Sequence, residues 1–241
     1  MKPLKHIRHL LLLLLLVQGL WVEAQHYVPI NGEIDSLLVL PKLGGDSVYW
    51  VNESLTVQNG GTLRVEGGVK MYFGQSAYLR VDNGNLVLDG QQNDSIYLLC
   101  YEFSHDWAGI QLKNIAEEDT VRISHVEVVG ALTALNASTS NNVVVSHCTF
   151  NNYYAGKGIE LKARTTDSQD NVFSHNIFDQ GQINLEISNV GYGFKCNRNH
   201  ILDNCFQGAA TAINFETVGG ISDKDATNYI ENNLISSDLP E

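Results

Sequence analysis

Five short segments of this chain follow the same five-residue frame, and their spacing constrains the fold more than any other feature. The segments are SHVEV (124–128), SHCTF (146–150), SHNIF (174–178), LDNCF (202–206) and ENNLI (231–235). Their central residues are 22, 28, 28 and 29 residues apart along the chain. A period of about 20 to 50 residues indicates a solenoid, in which one structural unit stacks on the next.

Within each period the apolar pattern is that of short β-strands. In the second segment, Cys148 and Phe150 are predicted to face one side of a strand and Thr149 the other. Asn, Gly, Ser and Asp fill the gaps between strands, as is typical of turns. A further short strand follows in three of the periods, as GIEL (158–161), NLEI (184–187) and AINF (212–215). Several short strands in roughly 25 residues predict an all-β chain folded as a parallel β-helix.

Asparagines recur at one position of the frame, as Asn176, Asn204 and Asn233. Equivalent positions on adjacent coils of a β-helix lie about 4.8 Å apart. We therefore expect these amide groups to hydrogen-bond along a column and to satisfy buried backbone groups of the turns.

The first 24 residues have the composition of a secretory signal peptide. Three basic residues precede an unbroken apolar run at 10–17, and a small-residue cleavage site ends at Ala24. The run is shorter than the roughly 20 residues that a membrane-spanning helix needs. We therefore predict secretion to the extracellular space, the periplasm or the cell surface, with a retained N-terminal membrane anchor as the alternative.

The rest of the chain reads as one domain. We predict a signal peptide at 1–24, an N-terminal lead-in or cap at 25–50 and the β-helix at 51–241. The final repeat is not followed by an amphipathic helix that would cap the open coil. We therefore expect either a further C-terminal remainder or a capping partner at that end.

Charge and cysteine content exclude several classes of function. The formal net charge is −12, which argues against a nucleic-acid partner. It also argues against tight binding of uronic-acid polymers unless a local basic patch exists. After the leader, no apolar run is long enough for an integral membrane segment. Four cysteines are too few for a disulfide scaffold; Cys196 and Cys205 either pair or remain buried thiols.

The first half of the mature chain carries a family resemblance. It contains GGTLRVEGGVKMYF (60–73), YLRV (78–81), NLVLDG (85–90) and WAGIQL (107–112). Over about Val51 to Ile235, the chain resembles secreted right-handed parallel β-helix proteins with pectin-lyase-like architecture, and is similar to uncharacterised members from Bacteroidetes-type bacteria. The resemblance implies a right-handed β-helix but leaves the function open, because the family includes lyases, hydrolases, binding modules and structural shafts.

The motifs of the catalytic members are missing. The chain has no Asp-Asp pair, no Gly-His-Gly and no Arg-x-Lys, which polygalacturonase-like hydrolases carry. Lys162 and Arg164 in LKAR are candidates for β-elimination, by similarity to the Lys and Arg of chondroitinase-like and alginate-lyase-like members. The alternative is a solvated strand end.

Glu160 and Glu186 are predicted to occupy equivalent outward positions on adjacent coils, about 5 Å apart. That separation suits a retaining glycosidase pair or a calcium site. The alternative is a solvated ladder in which Lys162 reduces the repulsion between the two carboxylates.

A second polar column contains His125, His147 and His175, and Asp203 continues it. Imidazole and carboxylate groups at this spacing are candidate ligands for a transition metal. The alternative is that these residues are polar stacking groups at a turn.

Aromatic residues are the candidates for sugar contact, because sugar rings stack on flat apolar faces. Tyr153 and Tyr154 lie in one loop of the repeat, and Tyr192 lies in the next. Trp50 and Trp107 are further candidates at strand ends. Loops at matching places on adjacent coils are expected to form one shallow groove.

The sequence therefore favours a secreted, non-catalytic β-helix module that contacts polysaccharide or serves as a cell-surface scaffold. The alternative is a polysaccharide lyase or glycosidase that acts on an acidic or neutral glycan. We expect no cofactor other than calcium, and no nucleic-acid partner.

Overall fold

The computed structural model describes residues 25–101, 107–151, 156–190, 193–217 and 227–236. Within these ranges the chain forms β-strands and no helix. The strands stack in three parallel sheets, so that each coil contributes one strand to each sheet in turn. The prediction of an all-β parallel β-helix is confirmed.

The three sheets are here named A, B and C. In the described residues, sheet A contains β1 (Tyr27–Pro29), β4 (Val48–Val51), β7 (Lys70–Phe73), β10 (Ile96–Cys100), β13 (Val126–Val129), β16 (Thr149–Asn151), β20 (Ile177–Asp179), β24 (Cys205–Gln207) and β27 (Leu234–Ser236). Sheet B contains β2 (Gly32–Ile34), β5 (Ser54–Gln58), β8 (Tyr78–Asp82), β11 (Gly109–Ile115), β14 (Thr133–Ser140), β17 (Lys157–Ala163), β21 (Ile183–Asn189) and β25 (Thr211–Thr217).

Sheet C contains β3 (Leu37–Leu40), β6 (Thr62–Glu66), β9 (Asn85–Asp89), β12 (Val121–Ser124), β15 (Val144–Ser146), β19 (Val172–Ser174), β23 (His200–Leu202) and β26 (Tyr229–Glu231). A short parallel pair is formed by β18 (Ser168–Gln169) and β22 (Cys196–Asn197).

The core follows from the alternation of inward and outward side chains along the strands. In β6, Leu63 and Val65 are fully buried, whereas Arg64 between them is exposed. Side chains of one kind stack on each other in successive coils, and Phe150, Phe178 and Phe206 do so with ring centroids 5.1 and 4.8 Å apart. Since burying an aromatic side chain removes a large apolar area from water, this stack is a major source of stability in the later coils.

The turns from sheet C to sheet A in the later coils are joined by a ladder of asparagines. The Asn176 side-chain oxygen accepts a hydrogen bond from the Cys148 backbone N–H at 2.9 Å, and Asn204 accepts from Asn176 in the same way. Asn233 extends the ladder by one coil. The predicted column is confirmed, and its amides satisfy backbone groups that would otherwise be buried without partners.

A second ladder, which the sequence analysis did not predict, runs through Asn171, Asn199 and Asn228. Asn171 accepts from the Val143 N–H at 3.0 Å, and Asn199 accepts from the Asn171 N–H at 3.2 Å. This ladder lies on the loop side of sheet C, directly before β19 and β23. Each of the later coils is therefore joined to the next at both ends of its sheet C strand.

The predicted lead-in at 25–50 already belongs to the solenoid. Its strands β1, β2 and β3 pair in parallel with β4, β5 and β6. Pro29 lies in the edge strand β1, where a missing N–H is tolerated because no strand of the described chain pairs on that side. This edge is consequently a poor template for strand addition.

At the opposite end of the solenoid, the last described strands expose side chains whose counterparts in the preceding coil point into the core. Phe215, Ile230 and Ile235 are in register with buried residues of the preceding coil, yet they are 52, 41 and 60 % exposed. These three inward positions are therefore accessible in the part of the chain that the structure describes.

Two of the cysteines belong to the stacked core. Cys148 and Cys196 are buried thiols, and burial raises the pKa of each to about 12. Cys196 and Cys205 are both free thiols and do not form a disulfide with each other.

The described part of the chain contains no helix with the length and hydropathy needed to span a bilayer.

Candidate functional site

The outer face of sheet B carries a continuous column of polar side chains. Glu160 of β17 is in register with Glu186 of β21, as the sequence predicts. In the described residues the column, in stacking order, is Glu33, Thr56, Arg80, Gln111, Asn136, Glu160, Glu186 and Asn214. Because strand pairing fixes the spacing of these residues, the column is a rigid array of hydrogen-bonding groups.

Two lysines neutralise the carboxylates of this column. The Lys157 ammonium lies 2.7 Å from Glu160 Oε1 and 3.2 Å from both oxygens of Glu186. Lys162 contacts the same Glu160 oxygen at 2.7 Å. Asn136 donates its amide to the other Glu160 oxygen, also at 2.7 Å. Both glutamates are only 5 % exposed, so these contacts replace water as their partners.

The charges of this network are mutually stabilised. Burial alone would raise the pKa of the Glu160 carboxyl, but hydrogen bonds from Lys157 and Lys162 outweigh it and hold the pKa below its ordinary value. Burial alone would lower the pKa of Lys157, and the two glutamates raise it instead. A general acid needs a raised pKa to hold a proton at neutral pH. Glu160 is therefore an ionised hydrogen-bond acceptor, and its oxygens are already occupied by protein donors.

A depression of about 230 Å³ lies beside this network on the same face. It is lined by three cations and three neutral polar residues, namely Lys113, Lys162, Arg164, Gln111, Asn136 and Ser138. This basic cavity is the local positive patch that the net charge alone does not reveal. Its residues come from β11, β14 and β17, with Arg164 one residue beyond β17.

The lining of the basic cavity is held in place by neighbours on the same face. Arg80 donates to the Gln111 side-chain oxygen through Nη2 at 2.8 Å and through Nε at 3.2 Å. Lys162 and Asn136 are fixed by Glu160. Arg164 is exposed at the rim of the cavity. A cavity of this kind suits an anionic group that also offers hydroxyls for hydrogen bonding.

The histidine column is a stack of parallel rings. Ring centroids of His125 and His147 are 4.8 Å apart, those of His147 and His175 are 4.9 Å apart, and the planes differ by 7° and 5°. Parallel stacked rings do not converge on one point. Among the described residues, no group of three or more His, Cys, Asp or Glu is arranged to hold a metal ion. The stack is completed by a 3.7 Å contact between His175 and Asp203.

The structure places the aromatic candidates in three classes, and Trp50 is a partly exposed residue on the outer face of sheet A. Tyr153, Tyr154 and Tyr192 lie outside the described residues. Trp107 is fully buried, stacks on Phe73 at a centroid distance of 4.0 Å and donates its indole N–H to the Val129 carbonyl. Its ring presents no face to a sugar, because the core of the neighbouring coil covers it, and Trp107 is therefore not retained as a candidate.

Comparisons with known proteins add no family to this description. No protein-family model matches the chain, and no match was found among curated proteins or among solved structures. The function must therefore be inferred from the residues of the chain itself.

Proposed function

We propose that this protein is a non-catalytic β-helix module that binds an acidic polysaccharide on the outer face of sheet B. The observation that carries the proposal is the basic cavity, in which Lys113, Lys162 and Arg164 meet on a chain of net charge −12. Lys162 is paired with Glu160, and an anionic ligand in the cavity would be attracted by Lys113 and Arg164 beside it. A carboxylate or sulfate group of a sugar has the matching charge.

The neutral residues of the cavity favour a sugar over a simple anion. Gln111, Asn136 and Ser138 provide amide and hydroxyl groups in the same depression as the cations. Pyranose hydroxyls donate and accept hydrogen bonds, so they are complementary to such a mixed lining. The flat, regular surface of parallel strands extends on either side of the cavity, and a chain of sugar residues fits a surface of that shape.

The absence of turnover in this proposal rests on the glutamate pair. Glu160 and Glu186 share Lys157, and the low pKa of Glu160 leaves it without a proton to donate at neutral pH. A retaining glycosidase needs one protonated and one ionised carboxyl group. We therefore assign the pair to organising the binding face.

One observation favours a second function, a polysaccharide lyase. Lys162 and Arg164 both line the basic cavity, where a uronate carboxylate would lie. In β-elimination, one cation neutralises the carboxylate, an unprotonated base removes the neighbouring proton, and the C–O bond to the leaving sugar breaks as its oxygen takes up a proton. The two functions differ in a single measurable property, which is turnover of an acidic polymer.

The experiment is a titration of the protein with polygalacturonate, alginate, chondroitin sulfate and neutral glucan, with and without calcium. Binding is measured by calorimetry and elimination by the absorbance of unsaturated uronides. We expect binding of at least one acidic polymer, a loss of about tenfold in affinity in Arg164→Ala and in Lys113→Ala, and no absorbance change. The matched control is Arg122→Ala, an exposed outward arginine of sheet C, which should bind like the wild type.

Two results would contradict the proposal. Equal binding of acidic and neutral polymers would remove the role of the cations. Accumulation of unsaturated product, lost in Arg164→Ala or Lys162→Ala, would establish the lyase instead.

The handedness of the solenoid and the localisation of the protein are also part of the proposal. We propose that the β-helix is right-handed, with pectin-lyase-like architecture, and that the protein is secreted and acts at a cell surface or outside the cell. The signal-peptide pattern of the first 24 residues supports secretion. The exposed inward positions at Phe215, Ile230 and Ile235 support a further segment or a partner that covers that end.

A further inference from the structure

The outer face of sheet A carries four aromatic rings joined by four contacts, whereas the basic cavity lies on sheet B. We call Tyr27, Trp50, Tyr72 and Tyr101 the aromatic cluster. Tyr27 contacts the other three rings at centroid distances of 5.9, 6.4 and 5.9 Å for Trp50, Tyr72 and Tyr101, and Trp50 lies 4.7 Å from Tyr101. All four contacts are edge-to-face, with planes inclined by 64 to 76°. This geometry is a favourable one for aromatic pairs.

The aromatic cluster does not belong to the core. Trp50 pairs with Tyr72 in the register of β4 and β7, and the next pair along those strands, Val51 and Phe73, is fully buried on the inside. Because side chains alternate along a strand, Trp50 and Tyr72 point outward. None of the four rings is buried, and Tyr101 is 47 % exposed.

Later coils use the same face differently. The outward positions of sheet A in β13, β16 and β20 contain no aromatic residue: they are Glu127, Val129, Thr149, Asn151, Ile177 and Asp179. The strand ladder alone does not require aromatic residues at the outward positions of sheet A, since these later coils form the same ladder without them. Exposed aromatic clusters of this kind mark binding surfaces.

The size of the aromatic cluster distinguishes between classes of ligand. An aromatic side chain buries about 150–250 Å² when fully covered, and these four rings cover much of one another. The exposed remainder is on the order of a few hundred Å², well below the roughly 800 Å² per partner of a stable protein interface. One or two sugar rings match that area.

Polar groups border the aromatic cluster on one side. The Tyr27 hydroxyl donates to the Gln25 side-chain oxygen at 3.1 Å. Gln25 also lines a second depression, of about 160 Å³, together with Ser47, Asp46 and Lys70. Lys70 is on the same strand as Tyr72, two residues earlier and on the same outward face. Hydrogen-bonding groups therefore begin where the rings end, as recognition of a sugar requires.

We propose that the aromatic cluster binds the apolar face of a neutral pyranose, with the sugar hydroxyls directed to Gln25, Ser47 and Lys70. The positions of the rings carry this inference. It does not rest on the basic cavity, which lies on sheet B and selects for negative charge. The two sites would let the module hold a polymer, or two polymers, in which acidic and neutral sugars both occur.

The test is a titration of the full chain with neutral hexasaccharides of β-1,4-linked glucose, xylose and mannose and of α-1,4-linked glucose. Binding is followed by calorimetry and by tryptophan emission, to which Trp50 contributes from the surface. We expect at least one hexasaccharide to bind, with a loss of tenfold or more in Trp50→Leu and in Tyr101→Ser. Tyr229→Ser is the matched control, because Tyr229 is a partly exposed tyrosine at the other end of the solenoid, and Arg164→Ala separates this site from the basic cavity. Both controls should bind as the wild type does.

Three outcomes would overturn the proposal. The first is no binding of any neutral hexasaccharide at millimolar concentration by a protein with native circular dichroism. The second is binding that stays within twofold in both cluster variants. The third is self-association of the wild type that Tyr101→Ser abolishes, which would make the aromatic cluster a protein interface.

Discussion

The early coils and the later coils form the turn from sheet C to sheet A with different residues. Between β6 and β7 the chain turns from sheet C to sheet A through Gly67 and Gly68, and Gly68 adopts a left-handed φ of +73°. Between β19 and β20 the same turn is made by His175, with φ +57°, and Asn176. Glycine reaches that conformation without strain, whereas the His-Asn turn is held by hydrogen bonds from the neighbouring coil. Both corners are joined to the next coil. The Gly68 N–H donates to the carbonyls of Asp94 and Ser95, whereas the later corner adds side-chain hydrogen bonds between Asn176 and Asn204.

The clearest way to test this difference is to open the core in each half. Phe178→Ala removes the middle ring of a three-ring stack in which the rings above and below are held by their own strands. The site cannot close, so we expect a loss of about 4–5 kcal/mol in the free energy of unfolding. Leu88→Ala, at an equally buried position of β9, should cost about 2–3 kcal/mol. Urea denaturation followed by circular dichroism measures both, and a loss below about 3 kcal/mol in Phe178→Ala would show that the ring stack closes around the cavity.

The next effect compares one residue type in the two halves. Asn204→Ala removes the acceptor of the Asn176 N–H and the donor to the Phe173 carbonyl, both of them buried. Leaving such groups unpaired costs about 1–3 kcal/mol each, so we expect a total of about 3 kcal/mol. Asn85→Ala removes only the exposed acceptor of the Thr120 N–H and should cost below about 1 kcal/mol. If thermal denaturation gives the two variants the same midpoint, the ladder is not what stabilises the later coils.

Removing the lysine of an ion pair should cost more free energy of unfolding in the later coils than in the early coils. Lys157→Met leaves Glu160 and Glu186 buried side by side without their shared cation. We expect a loss of about 2 kcal/mol, below the roughly 3–5 kcal/mol of a fully buried pair, because the lysine side chain is 28 % exposed. Lys42→Met breaks an exposed pair with Asp94 and should change stability by less than about 1 kcal/mol. Urea denaturation at pH 7 measures both variants.

The pH dependence of Lys157→Met provides an internal control. In the wild type the pKa of Glu160 is lowered, so its contribution to stability is present above about pH 4.5 and is lost as pH falls through the lower folded value. In the variant, burial and repulsion favour protonation of a carboxyl, so stability should rise as pH is lowered from 7 towards 5. A variant that loses stability over this interval would contradict the assignment.

The smallest expected effect concerns the histidine stack. Burial, and then repulsion from His125 and His175, lowers the pKa of His147 from its ordinary value of 6.5. The unfolded chain therefore binds the proton more readily, and stability falls as pH drops through about 6.5 towards the lower folded value. His147→Asn keeps a residue that tolerates the left-handed turn and should reduce the loss of melting temperature between pH 7.5 and 5.5. An unchanged slope would show that the stack is indifferent to charge.

The sequence repeat predicts the strand register of the later coils well, because the same residue types recur at the same position of each period. Asn176, Asn204 and Asn233 lie in the frame that defines the repeat, and the register of Glu160 with Glu186 follows from it. The second ladder was missed although Asn171 and Asn199 show the same spacing of 28 residues, because those residues lie in segments that the pattern assigns to turns.

The basic cavity is harder to predict from the sequence, because its residues come from three different strands and the pairing of those strands brings them together. Lys113 reaches Lys162 only through the pairing of β11, β14 and β17. The members of the aromatic cluster belong to irregular early coils, where no repeated residue marks the register. Trp107 was misread for a related reason, since its burial is decided by Phe73 in the preceding coil.

The hydrogen bonds of the asparagine ladder run from each coil back to the coil that precedes it in the chain. Asn176 accepts from the backbone of Cys148 and donates to the carbonyl of Val145, and both of these residues were synthesised one coil earlier. Each ladder coil therefore acquires its last backbone partners only when the following coil has been made. No coil of the ladder can therefore complete its backbone hydrogen bonds in a chain that stops short of the following coil.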